Sequence, residues 1–93
     1  MLRATRPFLA SVVLYIFSNG AMAGPLCTDQ DRSEWLTEAE IKNRITASGF
    51  TIDVFKITKG NCYEIYGRDT DGRRVEVYFH PVTGSIVEKH GIN

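Results

Sequence analysis

The sequence predicts an α+β domain in which one α-helix lies across a four-stranded antiparallel meander. Three observations carry that expectation. Residues 62–84, CYEIYGRDTDGRRVEVYFHPVTG, hold two runs rich in β-branched and aromatic residues. Asp69-Thr70-Asp71-Gly72 joins the runs and His80-Pro81-Val82-Thr83-Gly84 closes them, the pattern of a hairpin followed by a turn into a further strand. Val75, Val77 and Phe79 alternate with Arg74, Glu76 and Tyr78, so every second side chain is directed to a core. Upstream stands one helix with local signals at both ends, the cover that a one-faced sheet needs.

Taken in order, residues 24–32 are polar, contain Pro25 and show no apolar period, which marks an extended lead-in. The domain proper is expected over residues 33–93. Thr37 is placed to cap the helix and Glu40, three residues on, to complete a capping box, with Leu36 and Ile41 as the hydrophobic staple. The helix then runs from Glu38 to Ala47 or Ser48, with Ile41 and Ile45 one turn apart on its buried face. Gly49 suits the left-handed position after the helix and brings Phe50 back over Ile45.

The first strand, Phe50 to Lys59, has a broken pattern. Phe50, Ile52 and Val54 share one face while Phe55 and Ile57 fall on the other, so either both faces are partly covered or a bulge changes the phase. Lys59-Gly60-Asn61 leads into a second strand with Tyr63 and Ile65 on one face and Cys62, Glu64 and Tyr66 on the other. The third strand is Arg73 to Phe79 and the fourth Ser85 to Lys89, with Ile86 or Val87 inward. Gly91-Ile92-Asn93 reads as a frayed tail.

Residues 1–23 read as a secretory signal. Arg3 and Arg6 form the positive start, Phe8 to Phe17 is apolar apart from Ser11, and Ala21-Met22-Ala23 is a cleavage site. That apolar run is well short of the roughly 20 residues a spanning helix needs, so no stable membrane span is expected after cleavage. The expected location is periplasmic or secreted. Without Arg3 and Arg6, 9 basic residues face 11 acidic ones, a balance that argues against nucleic acid as partner.

Export decides how the two cysteines are read. In an oxidising compartment Cys27 and Cys62 pair with each other, which the chain-entropy model values at roughly 3.5–4 kcal/mol. Free thiols and a metal site are the alternatives, and His80 and His90 do not supply the spacing a metal requires. For so short a mature chain, such a bond can decide whether the domain folds.

No catalytic constellation is visible, no cofactor is implied, and the chain reads as a non-enzyme. Asp69, Asp71 and Gly72 resemble the start of a calcium loop, but its twelfth position is His80 where a glutamate is required. Glu64 and Glu76 are expected to pair with Arg68 or Arg74 across the sheet. Strict alternation places Phe55, Ile57, Tyr66 and Tyr78 opposite Val75, Val77 and Phe79. They form either an aromatic surface suited to another protein or a face partly covered by Trp35 and the lead-in.

Trp35 ahead of the capped helix Thr37 to Ser48, then Gly49-Phe50, Cys62-Tyr63-Glu64, Asp71-Gly72-Arg73 and Pro81-Val82-Thr83-Gly84 together resemble the PepSY domain in its short exported form. The resemblance covers nearly all of residues 33–89. It implies a helix on an antiparallel sheet, a place outside the cytoplasm and a role in restraining peptidases. The family takes its name partly from propeptides of thermolysin-like metallopeptidases, which are joined to a catalytic domain. The sequence carries no such domain, so restraint here would act between separate molecules.

The function expected is that of an exported interaction module whose partner is another envelope protein, a peptidase foremost, with no oligomeric state assigned. The alternative is a small-ligand or envelope-sensing domain, which requires a concave apolar pocket between helix and sheet.

Overall fold

The computed structural model describes residues 24–93, so the signal expected over residues 1–23 lies outside the described residues. The elements are a helix α1 (Glu38–Ala47) and strands β1 (Thr51–Ile57), β2 (Tyr63–Arg68), β3 (Arg74–Phe79) and β4 (Ile86–Gly91). The strands form one antiparallel sheet in the order β1-β2-β3-β4. The fold is therefore α+β, one helix on a four-stranded meander. Among the described residues no helix is long and apolar enough to cross a membrane.

Both ends of α1 follow from its sequence. The Thr37 hydroxyl accepts from the Glu40 amide while the Glu40 carboxylate accepts from the Thr37 amide, which satisfies two N–H groups that the first turn leaves free. At the other end Gly49 takes φ +99°, the Phe50 amide donates to the Ile45 carbonyl and the Gly49 amide to that of Thr46. This is the Schellman closure, and it turns the chain straight into β1. Ile41 and Ile45 are 0% and 2% exposed and meet Tyr63, Ile65, Val75, Val77 and Phe79 from the sheet.

The phase conflict in β1 is resolved by a bulge. Ile52 stands opposite Gly67 and Val54 opposite Tyr66, leaving Asp53 as the extra residue. Ile52 and Phe55 thereby both reach the helix side despite their odd spacing, and both pack against the core. Gly67 makes room for this, since a side-chain carbon there would run into the Thr51 carbonyl oxygen.

Two strand expectations are corrected. β4 sends neither Ile86 nor Val87 into the core; they are 48% and 39% exposed on an edge strand whose register slips beside Phe79. The tail is not frayed throughout, because Gly91 pairs with Val75 and the Ile92 amide donates to the Arg74 carbonyl.

The Cys27–Cys62 disulfide is present, with Cα atoms 5.1 Å apart. It clamps the lead-in where that segment rounds the β1–β2 turn. There the Cys27 amide donates to the Gly60 carbonyl and the Asn61 side-chain amide to the Thr28 carbonyl. From that clamp the chain runs both ways. Downstream, Trp35 packs edge-on against Tyr63 on the helix side, with ring centroids 5.4 Å apart. Upstream, Gly24 rests against Tyr78 on the opposite side. The lead-in is thus a strap around one end of the sheet, and Pro25 passes so close to Gly60 that no side chain could stand there.

Candidate functional site

The face of the sheet turned away from α1 is built from the residues of β2 and β3 that the core does not use. The hairpin register sets Glu64 opposite Tyr78 and Tyr66 opposite Glu76, so carboxylates and phenols alternate in a square. The register comes from the turn. Asp69 Oδ1 accepts from the amides of Asp71 and Arg73, and Gly72 takes φ +80°. Asp71 itself stays out of the left-handed region, so the loop is a type I turn completed by a left-handed glycine rather than a two-residue hairpin.

Within the square both phenols converge on one atom. The Tyr66 hydroxyl donates to Glu76 Oε2 over 3.0 Å and the Tyr78 hydroxyl to the same oxygen over 2.8 Å. Glu64 is only 4% exposed and lies against the Glu76 carboxyl. Burial raises the Glu64 pKa above the ordinary glutamate value and the neighbouring carboxylate raises it further. Glu76 is held low, first by its hydrogen bond with the Glu64 carboxyl and then by the two phenols. On acidification Glu64 therefore takes the proton that the two carboxyls share. The Tyr66 hydroxyl is pushed up to about 12, chiefly by its bond to Glu76. Burial pushes the Tyr78 hydroxyl higher still, so both remain donors at any physiological pH.

The square has a defined rim. Lys56 stands opposite Glu64, and its ammonium lies 5.4 Å from the centre of the Tyr66 ring. His90 stands opposite Glu76, meets the Tyr78 ring edge-on at 6.3 Å and has Nε2 2.9 Å from Glu88 Oε1. Val54, opposite Tyr66, is 47% exposed.

Of the residues expected to share one surface, the structure brings Tyr66 and Tyr78 together and separates Phe55 and Ile57 from them. The bulge at Asp53 turns Phe55 onto the helix side, where its ring lies 5.2 Å from that of Tyr63 with the Lys42 ammonium 4.9 Å from its centre. Ile57, opposite Tyr63, follows it. The same bulge brings Val54 to the Tyr66 side in their place. Tyr78 is also no open aromatic; with Gly24 against it, it is 5% exposed.

The expected pairing of Glu64 and Glu76 with arginines is corrected as well. Arg68 and Arg74 stand opposite each other at the far end of the strands, and the Arg68 guanidinium donates to the Gly72 carbonyl. The carboxyl pair was legible only through the register, since a turn at Asp69–Gly72 commits 64 to 78 and 66 to 76. His80 acts locally, where its Nδ1 accepts from the Val82 and Thr83 amides and holds the turn between β3 and β4. Among the described residues no three His, Cys, Asp or Glu side chains are grouped to hold a metal ion. Chemically, the square is a carboxyl pair bonded by two phenols, with Glu64 and Tyr78 enclosed and one small patch of apolar surface at Val54 and Tyr66.

In comparison with known proteins, the family model described as peptidase propeptide and YPEB domain matches residues 7–90. No curated protein and no solved structure matches the chain.

Proposed function

The chain belongs to the family of peptidase propeptide and YPEB domains, PepSY, and from that premise we propose that it is an exported, non-catalytic module that binds and restrains a peptidase of the cell envelope. The family is linked to peptidase propeptides and their regulation. In this reading residues 1–23 are a signal removed after Ala23, residues 24–32 are the strap and residues 33–93 the binding domain. The disulfide fits an oxidising compartment.

The observation that carries the reading is the face away from α1. The helix fills one side of the sheet, with Ile41, Ile65 and Val77 at 0% exposure. The other side leaves Val54 and Tyr66 beside the Lys56 ammonium. A protein surface with an apolar centre and polar rim matches that arrangement. The filled layer between helix and sheet favours a protein partner over a small ligand held there.

The test is recovery of envelope proteins on the exported chain, compared with a Val54→Ser/Tyr66→Ala variant of equal melting temperature. The native chain is expected to retain a peptidase that the variant loses, and to slow that peptidase when purified. Equal recovery by both overturns the assigned face, and unslowed cleavage overturns restraint.

A further inference from the structure

The face away from α1 turns its carboxyls inward and two guanidinium groups outward. Glu64 is enclosed, Glu76 is half-buried and accepts from both phenols, and Lys56 stands opposite Glu64 with its ammonium against the Tyr66 ring. Further along the hairpin, Arg68 and Arg74 are exposed and directly opposite each other. The ladder from Tyr66 and Glu76 to these arginines is regular, so all four share one face.

Like charges set opposite each other weaken a strand pair. Among the described residues no carboxylate lies within 4.0 Å of either guanidinium to offset them; the ion pairs present are Lys42–Glu38, Arg73–Asp71 and His90–Glu88. The acids of the adjoining turn are engaged elsewhere. Asp69 Oδ1 accepts from the Asp71 and Arg73 amides, and Asp71 lies 3.9 Å from Arg73. Arg68 gives one donor to the Gly72 carbonyl over 2.8 Å, which fixes its guanidinium beside the turn and leaves further donors. Opposed residues have Cα atoms roughly 4.5–5.5 Å apart, close enough for two guanidinium forks to flank one carboxylate. Val54 and Tyr66 form the neighbouring row of the same face, roughly 7 Å along the strands. An extended chain repeats its side chains on one side at that same interval.

We propose that Arg68 and Arg74 clasp one carboxylate between them, and that the face takes an extended segment of the partner protein in which an aspartate or glutamate stands two residues from an apolar side chain. The inference rests on the reading of this face as the protein-binding surface, and it names the segment that surface grips. The apolar side chain lies on Val54 and Tyr66 while the carboxylate relieves the repulsion between the arginines. Two arginines fall short of the roughly four to eight cations that hold a protein to anionic lipid, which favours a peptide over a membrane.

The test titrates the exported full chain with the blocked peptide acetyl-Thr-Leu-Thr-Glu-Thr-amide and with its twin carrying glutamine for glutamate, reading backbone amide shifts by NMR. The acidic peptide is expected to bind at least about fivefold more tightly, the upper range for an exposed ion pair, and to shift Val54, Tyr66, Arg68 and Arg74. Arg74→Gln is expected to bind both peptides equally and to melt no earlier than the native chain, since it removes one of two opposed like charges. Should that variant not fold, the native chain with the two peptides decides alone. Equal affinity for both peptides, or shifts confined to the strap end of the sheet, overturns the clasp, and restraint of a peptidase is then judged separately by whether the exported chain still slows one. Selective binding without any slowed peptidase upholds the segment and overturns the restraint. Capture by phosphatidylglycerol vesicles that the acidic peptide does not displace assigns the arginines to a membrane surface and overturns the proposal.

Discussion

Tyr66 stands directly opposite Glu76 across the β2–β3 pairing, and its hydroxyl donates to Glu76 Oε2 over 3.0 Å. Tyr78, two residues along on the strand of Glu76, donates to the same oxygen. A carboxylate with two phenol donors is stabilised in its charged form. Its contribution to stability is present above the unfolded glutamate pKa and is lost as pH falls through the lower, folded value.

Tyr66→Phe and Tyr78→Phe should each cost about 1–2 kcal/mol at neutral pH, as expected for a hydrogen bond to a charged group. The double variant should cost less than the sum, because both donors serve one oxygen. Each change should also raise the Glu76 pKa and so narrow the pH range over which its charge stabilises the fold. Urea unfolding at pH 7, with titration of the Glu76 carboxyl carbon by NMR, measures both effects.

Reduction of Cys27–Cys62 should remove roughly 3–4 kcal/mol and lower the melting temperature. The strap should suffer first, because the bond fixes it where it rounds the β1–β2 turn. Melting of oxidised and reduced protein, read together with the fluorescence of Trp35, checks this. A reduced form that melts no earlier refutes it.

Gly67→Ala should destabilise by about 1–3 kcal/mol, the usual penalty for forcing extra volume into a packed site. The added carbon would meet the Thr51 carbonyl oxygen, so β1 must move off β2 at its bulge. Amide exchange should show that loss of protection concentrated in Thr51–Val54, whereas Gly72→Ala, which meets no atom within 4 Å, is governed only by its positive φ.

Asp69 gives the hairpin an acid-sensitive turn. The amide of Arg73, and then that of Asp71, hold its carboxylate below the ordinary aspartate value. A group depressed in the folded state stabilises above its unfolded pKa, about 3.9, and ceases to do so as pH drops through the folded one. Asp69→Asn should therefore flatten the fall in melting temperature between pH 5 and pH 2, while the native chain shows the steeper slope.

Much of this molecule is decided by short-range chemistry that can be read along the chain. Thr37 and Glu40 close the start of α1, and Gly49 and Phe50 its end, through bonds within a few residues. The alternation of Val75, Val77 and Phe79 determines which side of β3 is buried, and the Asp69–Gly72 turn determines what β2 sets opposite it. With the cysteine pair, these local preferences suffice for an α+β domain with a bound lead-in.

The site depended on two things that no local pattern states. One is the bulge at Asp53: a single unpaired residue sends Phe55 and Ile57 to the helix side and Val54 to the other, because side chains alternate with a period of two and one extra residue inverts all that follow. The other is the meeting of Glu64, Glu76, Tyr66 and Tyr78 on one face, with Gly24 against Tyr78. The composition of each strand allowed those glutamates to face arginines. Only the assembled sheet, with Arg68 and Arg74 at its far end and the strap across Tyr78, left the two carboxyls enclosed together.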